Sequence, residues 1–83
     1  MSKKVIYYPE ATVLKSYDTF VAVKRVAAED MVTEQHYSKT TTRQINEFFG
    51  GAEEAAKVMK VSQKTMDSVA KFIEKYNTSG ENK

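Results

Sequence analysis

The stretch Tyr37-Ser38-Lys39-Thr40-Thr41-Thr42-Arg43-Gln44-Ile45-Asn46-Glu47-Phe48-Phe49-Gly50-Gly51 constrains the fold more than any other. It marks where a sheet-forming half of the chain gives way to a helical half. Thr41 and Gln44 have capping-box spacing, in which the hydroxyl accepts from the Gln44 backbone N–H and the glutamine side chain reaches back. Ile45, Phe48 and Phe49 follow at i, i+3 and i+4 on one helical face, and Gly50-Gly51 supplies a stop that tolerates the left-handed conformation. The spacing predicts a helix over residues 41–49. It fixes local structure and says little about chemistry.

Before that junction the chain reads as strands. Residues 3–8 and 11–15 are short β-prone runs broken at Pro9-Glu10, where no ladder donor is missed. Ser16-Tyr17-Asp18 is a turn, Thr19 to Val26 alternates around β-branched and aromatic residues, and Met31 to Tyr37 returns as the next strand. Pairing Val26 with Met31 would put Phe20, Ala22, Val26, Met31 and Tyr37 on one face. Val21, Val23 and Val32 would then share the other with Arg25, Glu34 and His36.

After the junction, Ser62 is an N-cap candidate for a helix from Gln63 to Tyr76, with Met66, Val69, Ala70, Ile73 and Tyr76 at helical spacing. Residues 52–61 are a fork. Ala52, Ala55, Ala56 and Met59 make a helical stripe, whereas Lys57-Val58-Met59-Lys60-Val61 reads equally as an edge strand; helix propensity favours helix for 52–57 and leaves 58–61 open. The expected class is α+β, an antiparallel meander of three or four strands followed by two or three short helices. It forms one domain over residues 1–76, with 77–83 a flexible polar tail.

Composition narrows the function classes. Eighty-three residues leave no room for a second domain, and the 41% apolar content with five tyrosines and four phenylalanines is enough to pack a core. The chain has no cysteine, which excludes a disulfide framework, a thiolate metal site and a cysteine nucleophile. Lys3-Lys4 is followed only by Val5-Ile6-Tyr7-Tyr8 before Pro9, too little for a signal peptide or a membrane span, so the chain reads as cytoplasmic. The net charge of +2 is modest for a protein that binds nucleic acid by electrostatics. Residues 1–43 carry seven basic and five acidic side chains and residues 44–83 six of each, which places the excess in the sheet half.

Ser16-Tyr17-Asp18-Thr19-Phe20-Val21-Ala22, followed by Tyr37 to Phe48, resembles a small uncharacterised domain common in phage and prophage genomes. That domain pairs an S-Y-x-T-x-V-A segment with a Y-S-x-T-T-S-x-H-I-x-x-F segment. The likeness covers residues 11–50, and departs from the pattern at Thr42, where serine is usual, and Gln44, where histidine is usual. It implies phage origin and a meander-plus-helix fold, and carries no activity with it. Residues 52–75 show a weaker resemblance to helix-turn-helix proteins through Ala55-Ala56, Val61-Ser62, Thr65-Met66 and Val69, with Lys60 at the turn where glycine is usual. On that alternative, Gln63, Lys64, Thr65, Ser68 and Lys71 would face DNA.

Catalytic patterns are weak. His36 is the sole histidine; with Asp30 and Ser38 it makes no triad, and with Asp30 and Glu34 no metal loop. Glu53-Glu54 suits the positive end of a helix, and Gly50-Gly51 lacks a phosphate-loop spacing. We expect neither enzyme activity, nor a cofactor, nor a metal. Tyrosine and arginine concentrate energy at interfaces, so Tyr7, Tyr8, Tyr17 and Arg25 are candidate partner contacts; Lys39 and Arg43, beside a helix N-terminus, join them. The expected role is a non-enzymatic, phage-type binding protein that inhibits or modulates a host protein, including CRISPR and other defence nucleases. The partner would be a host protein or nucleoprotein complex, with duplex DNA on the alternative reading, no membrane involvement, and a homodimer compatible with either.

Overall fold

The structure, a computed structural model, describes residues 3–35 and 37–79. Five strands form one mixed sheet in the order β1-β2-β3-β4-β5: β1 Lys3–Tyr7, β2 Ala11–Ser16, β3 Thr19–Arg25, β4 Met31–Thr33 and β5 Met59–Val61. The first four pair antiparallel, as the meander expectation requires. The fifth pairs parallel to β4, Met31 opposite Met59 and Thr33 opposite Val61. A parallel neighbour needs a crossover, and here the crossover is two helices, α1 Lys39–Phe49 and α2 Ala52–Ala56. The third helix, α3 Gln63–Ser79, follows β5 after one residue.

The helices cover both faces of the sheet. On one face Val13, Val23 and Met31 pack with Met66, Ala70 and Ile73 of α3; on the other, Leu14, Val21, Ala22 and Val32 pack with Phe49 of α1 and Ala55 of α2. Val21, Ala22 and Val23 are therefore all buried, a continuous apolar run in place of strict alternation, as a doubly covered strand requires.

The strand faces differ from the sequence expectation because of a β-bulge. Leu14 pairs with Ala22 and Lys15 with Phe20, leaving Val21 without a partner in the register. One extra residue on β3 turns Val21 and Ala22 to the same side. Val23, rather than Val26, faces Met31, and β4 ends at Thr33 instead of continuing to Tyr37.

The predicted turns hold. Tyr8 and Ala11 exchange backbone hydrogen bonds of 2.8 and 3.3 Å around Pro9-Glu10, and Tyr17-Asp18 link β2 to β3 with Tyr17 at φ 58°. Helix α1 starts earlier than expected. Ser38, not Thr41, is its N-cap: the Ser38 hydroxyl accepts from the Thr41 N–H at 3.1 Å, so Thr41 lies in the first turn and is buried. Gly50 closes the helix at φ 92°, and the Gly51 N–H reaches back to the Asn46 carbonyl at 2.7 Å.

Both branches of the fork are realised in turn, helix over Ala52–Ala56 and strand over Met59–Val61. This removes the helix-turn-helix. A hydrogen-bonded strand stands where the turn would be, and α2 and α3 pack on opposite faces of the sheet. Helix α3 runs through Ser79, and the Asn77 side-chain amide donates to the Glu10 carboxylate and to the Ile73 carbonyl, both at 2.7 Å. The rest of the expected tail, residues 80–83, lies outside the described residues. Among the described residues no helix is long and apolar enough to cross a membrane.

Candidate functional site

An apolar helix normally presents one stripe to its sheet; α3 presents more than the sheet can cover. Met66, Ala70 and Ile73 make the buried stripe. Val69, Phe72 and Tyr76 follow at i, i+3 and i+7 on its flank, and Phe72 and Tyr76 remain 70% and 65% exposed. The expected placement of Tyr76 in the core is therefore corrected: the residue is largely exposed and lines a surface groove.

The flank faces an open groove of about 680 Å³. Its far wall is the β3–β4 loop, where Val26, Ala27 and Ala28 are exposed, Val26 by 80%. Pro9 and Ala11 close one end. Backbone and side-chain bonds hold that wall: the Val26 N–H donates to the Glu10 carbonyl at 3.1 Å, the Arg25 N–H to the Asp30 carboxylate at 3.1 Å, and the Arg25 Nε to the Glu29 carbonyl at 2.9 Å. The groove is apolar in its lining, its walls are tied at three points, and its aromatic rings stand free. Such a surface suits contact with apolar side chains.

The six residues expected from sequence do not form one patch. Arg25 borders the groove, and Tyr8 packs half-buried against the α3-side core. Burial, followed by the nearby Glu74 and Glu10 carboxylates, raises the Tyr8 phenol pKa. Tyr7 is exposed on edge strand β1. Tyr17 lies in the β2–β3 turn at the opposite end of β2, and Lys39 and Arg43 are exposed on the first turns of α1.

The alternative DNA-contact set divides as well. Gln63 is consumed internally: its Oε1 accepts from the Thr33 hydroxyl at 2.8 Å and the Tyr37 hydroxyl at 2.7 Å, and its Nε2 donates to the Phe20 carbonyl and the Asp67 carboxylate, both at 2.8 Å. Burial and then the Asp67 charge raise the Tyr37 phenol pKa. Thr65 donates its backbone N–H to the Ser62 hydroxyl at 3.2 Å, as the expected cap requires, while Lys64, Ser68 and Lys71 are exposed. His36 lies outside the described residues. Among the described residues no group of three or more His, Cys, Asp or Glu side chains is arranged to hold a metal.

What sequence reasoning missed is the groove. Its signal was present in Phe72, which falls outside the Met66-Ala70-Ile73 stripe, and in the apolar run Val26-Ala27-Ala28 at a chain reversal, where polar residues are usual.

A second feature joins distant segments. Ser16, at the end of β2, hydrogen-bonds to the Thr41 hydroxyl at 3.1 Å and donates to the Gln44 Oε1 at 2.7 Å. All three side chains are buried.

Residues 1–68 match the model of a family of unknown function, DUF8033, and the chain belongs to that family. No curated protein and no solved structure matches it significantly. The matched segment ends at Ser68 within α3, so Phe72 and Tyr76 stand beyond it.

Proposed function

From membership of a family with no assigned activity, we propose that this chain is a non-enzymatic binding protein whose groove engages an apolar segment of a host protein. The observation that carries this is the groove itself: Val26, Phe72 and Tyr76 keep large apolar surfaces in water around a recess with tied walls. Exposed aromatic anchors beside a pocket are where binding energy concentrates. The finer reading is an inhibitor or modulator of phage type, acting in the bacterial cytoplasm on a defence protein such as a CRISPR nuclease. It is supported by the resemblance of residues 16–22 and 37–48 to a phage and prophage domain. Those two segments, distant in sequence, meet through Ser16, Thr41 and Gln44.

The test is capture of a partner from host lysate, with and without nuclease treatment, by wild-type protein, Phe72→Ala/Tyr76→Ala and Lys64→Ala/Lys71→Ala. We expect one protein to be retained after nuclease treatment, lost with the aromatic pair and kept with the lysine pair. Specific duplex DNA binding at physiological salt, abolished by the lysine change, would overturn the reading.

A further inference from the structure

A second recess, of about 270 Å³, opens on the other side of the sheet between β1 and α1. Lys3 and Tyr7 border it from β1, Lys24 from β3, and Gln44 and Glu47 from α1, with Val5 and Leu14 as apolar floor. Gln44 is only 6% exposed. Each hydroxyl has one proton to give, and that fixes the direction of the network behind it. The Ser16 proton goes to the Gln44 Oε1, so in the Ser16–Thr41 bond Thr41 must be the donor, and Ser38 in turn donates to Thr41 at 3.2 Å. The relay runs Ser38 to Thr41 to Ser16 to Gln44 and ends on the amide oxygen.

The Gln44 Nε2 is left with two protons and no acceptor among the described residues. A buried amide donor without a partner is costly, and a chain of hydroxyls polarising its carbonyl makes the nitrogen a stronger donor. Two lysines, Lys3 and Lys24, line the same recess. The Lys24 ammonium lies 5.0 Å from the Phe48 ring centroid and 5.8 Å from that of Phe49, and pairs with no carboxylate among the described residues. Lys3 is shared with Glu47 at 3.6 Å. Lys3 and Lys24 set against Glu47 leave one net positive charge, which matches a monoanion, and the apolar floor matches a short aliphatic stem.

We propose that this recess binds a carboxylate, accepting from the Gln44 Nε2 and held by the Lys24 and Lys3 ammonium groups. The site is separate from the groove beside α3 and does not depend on it. The experiment is a titration of isotope-labelled full-length protein followed by NMR at the Gln44 side-chain amide. Sodium acetate, a blocked aspartyl peptide and, as control, sodium chloride are each added at matched ionic strength. We expect saturable shifts with acetate and none with chloride. Lys24→Met, which keeps the packing on Phe48, should weaken acetate binding about tenfold, one charge-assisted contact being lost. Gln44→Leu, followed through neighbouring backbone amides, should abolish it. If Gln44→Leu does not fold, Lys24→Met decides alone.

A peptide that saturates tenfold lower than acetate assigns the carboxylate to an acidic side chain of a polypeptide; equal midpoints assign a free small carboxylate. Equal shifts with chloride, no saturation, or unchanged acetate binding in a folded Lys24→Met protein would overturn the proposal.

Discussion

Gln63 and Gln44 serve opposite faces of the sheet and are treated in opposite ways. Gln63 uses both of its donor protons and accepts two hydrogen bonds, tying β3, β4 and α3 together. Gln44 accepts one bond and leaves its nitrogen unused among the described residues. The apolar surfaces show the reverse. The α1 side draws Phe49 and Ala55 into its core and half-covers Ile45, Phe48 and Val58, while the α3 side leaves Phe72 and Tyr76 in water. At these two glutamines and two rings the faces contrast: the α3 side uses every amide proton of Gln63 and leaves Phe72 and Tyr76 in water, and the α1 side buries Phe49 and leaves the Gln44 amide protons without an acceptor among the described residues. An unsatisfied surface of either kind is what a ligand can use, and its chemistry names the ligand class.

The largest expected effect tests whether α3 divides into a stripe that folds the protein and a flank that binds. Met66→Ala should cost about 2–5 kcal/mol, because a fully buried side chain leaves a cavity, whereas Phe72→Ala should change stability by less than about 0.5 kcal/mol. Urea denaturation of both variants measures this. A destabilisation by Phe72→Ala as large as that by Met66→Ala would place its ring in the core.

On the other face, Ser16→Ala removes the proton donated to Gln44 and the partner of Thr41. We expect a loss of about 1–3 kcal/mol, the cost of leaving a buried polar group unpaired, together with a shift of the Gln44 side-chain amide resonances. Stability unchanged to within error would show that the relay does not orient Gln44.

Ser38→Ala removes the cap of α1 and should cost about 1 kcal/mol, whereas Thr41→Ser, which keeps the hydroxyl, should cost less. Thr41→Ser keeps both the capped N–H and the relay hydroxyl, so the difference reports the two Ser38 contacts together.

The smallest effect is in alkali. Tyr8 and Tyr37 have phenol pKa values raised in the folded chain, so above about pH 10, the ordinary tyrosine value, the unfolded state releases its protons first. Stability should be unaffected below that pH and fall as pH rises through the raised folded values. Tyr37→Phe should lessen the fall and leave the part that Tyr8 contributes. An unchanged slope would assign the effect to Tyr8.

The sequence made local features legible where one physical rule governs them. The break at Pro9-Glu10, the turn at Tyr17-Asp18 and the helix stop at Gly50-Gly51 are legible because each depends on neighbours in the chain. The Ser62 cap and the buried Met66-Ala70-Ile73 stripe follow from helical periodicity. The faces of β3 were not legible, since the bulge at Val21 is selected by packing on two sides at once and leaves no composition signal. Residues 58–61 were ambiguous because Met59-Lys60-Val61 becomes a strand only where β4 offers an edge, and Val58 stays outside it. Of the candidate sites, tyrosine content drew attention to residues 7, 8 and 17, while the groove depends on the distance between α3 and the loop after β3, which no local pattern encodes.

The parallel pairing of β4 with β5 bears on how the chain is made. As it leaves the ribosome, residues up to Thr33 can complete the meander from hairpins alone, each contact closing a short loop. Met31–Thr33 then waits as an open strand edge, with the face later covered by Met66 still wet, until Met59–Val61 has been synthesised. In that interval the nascent sheet exposes both an unpaired edge and an apolar face, the combination that invites pairing with other chains. The short length of β4, three residues, limits how much a stray strand can gain there.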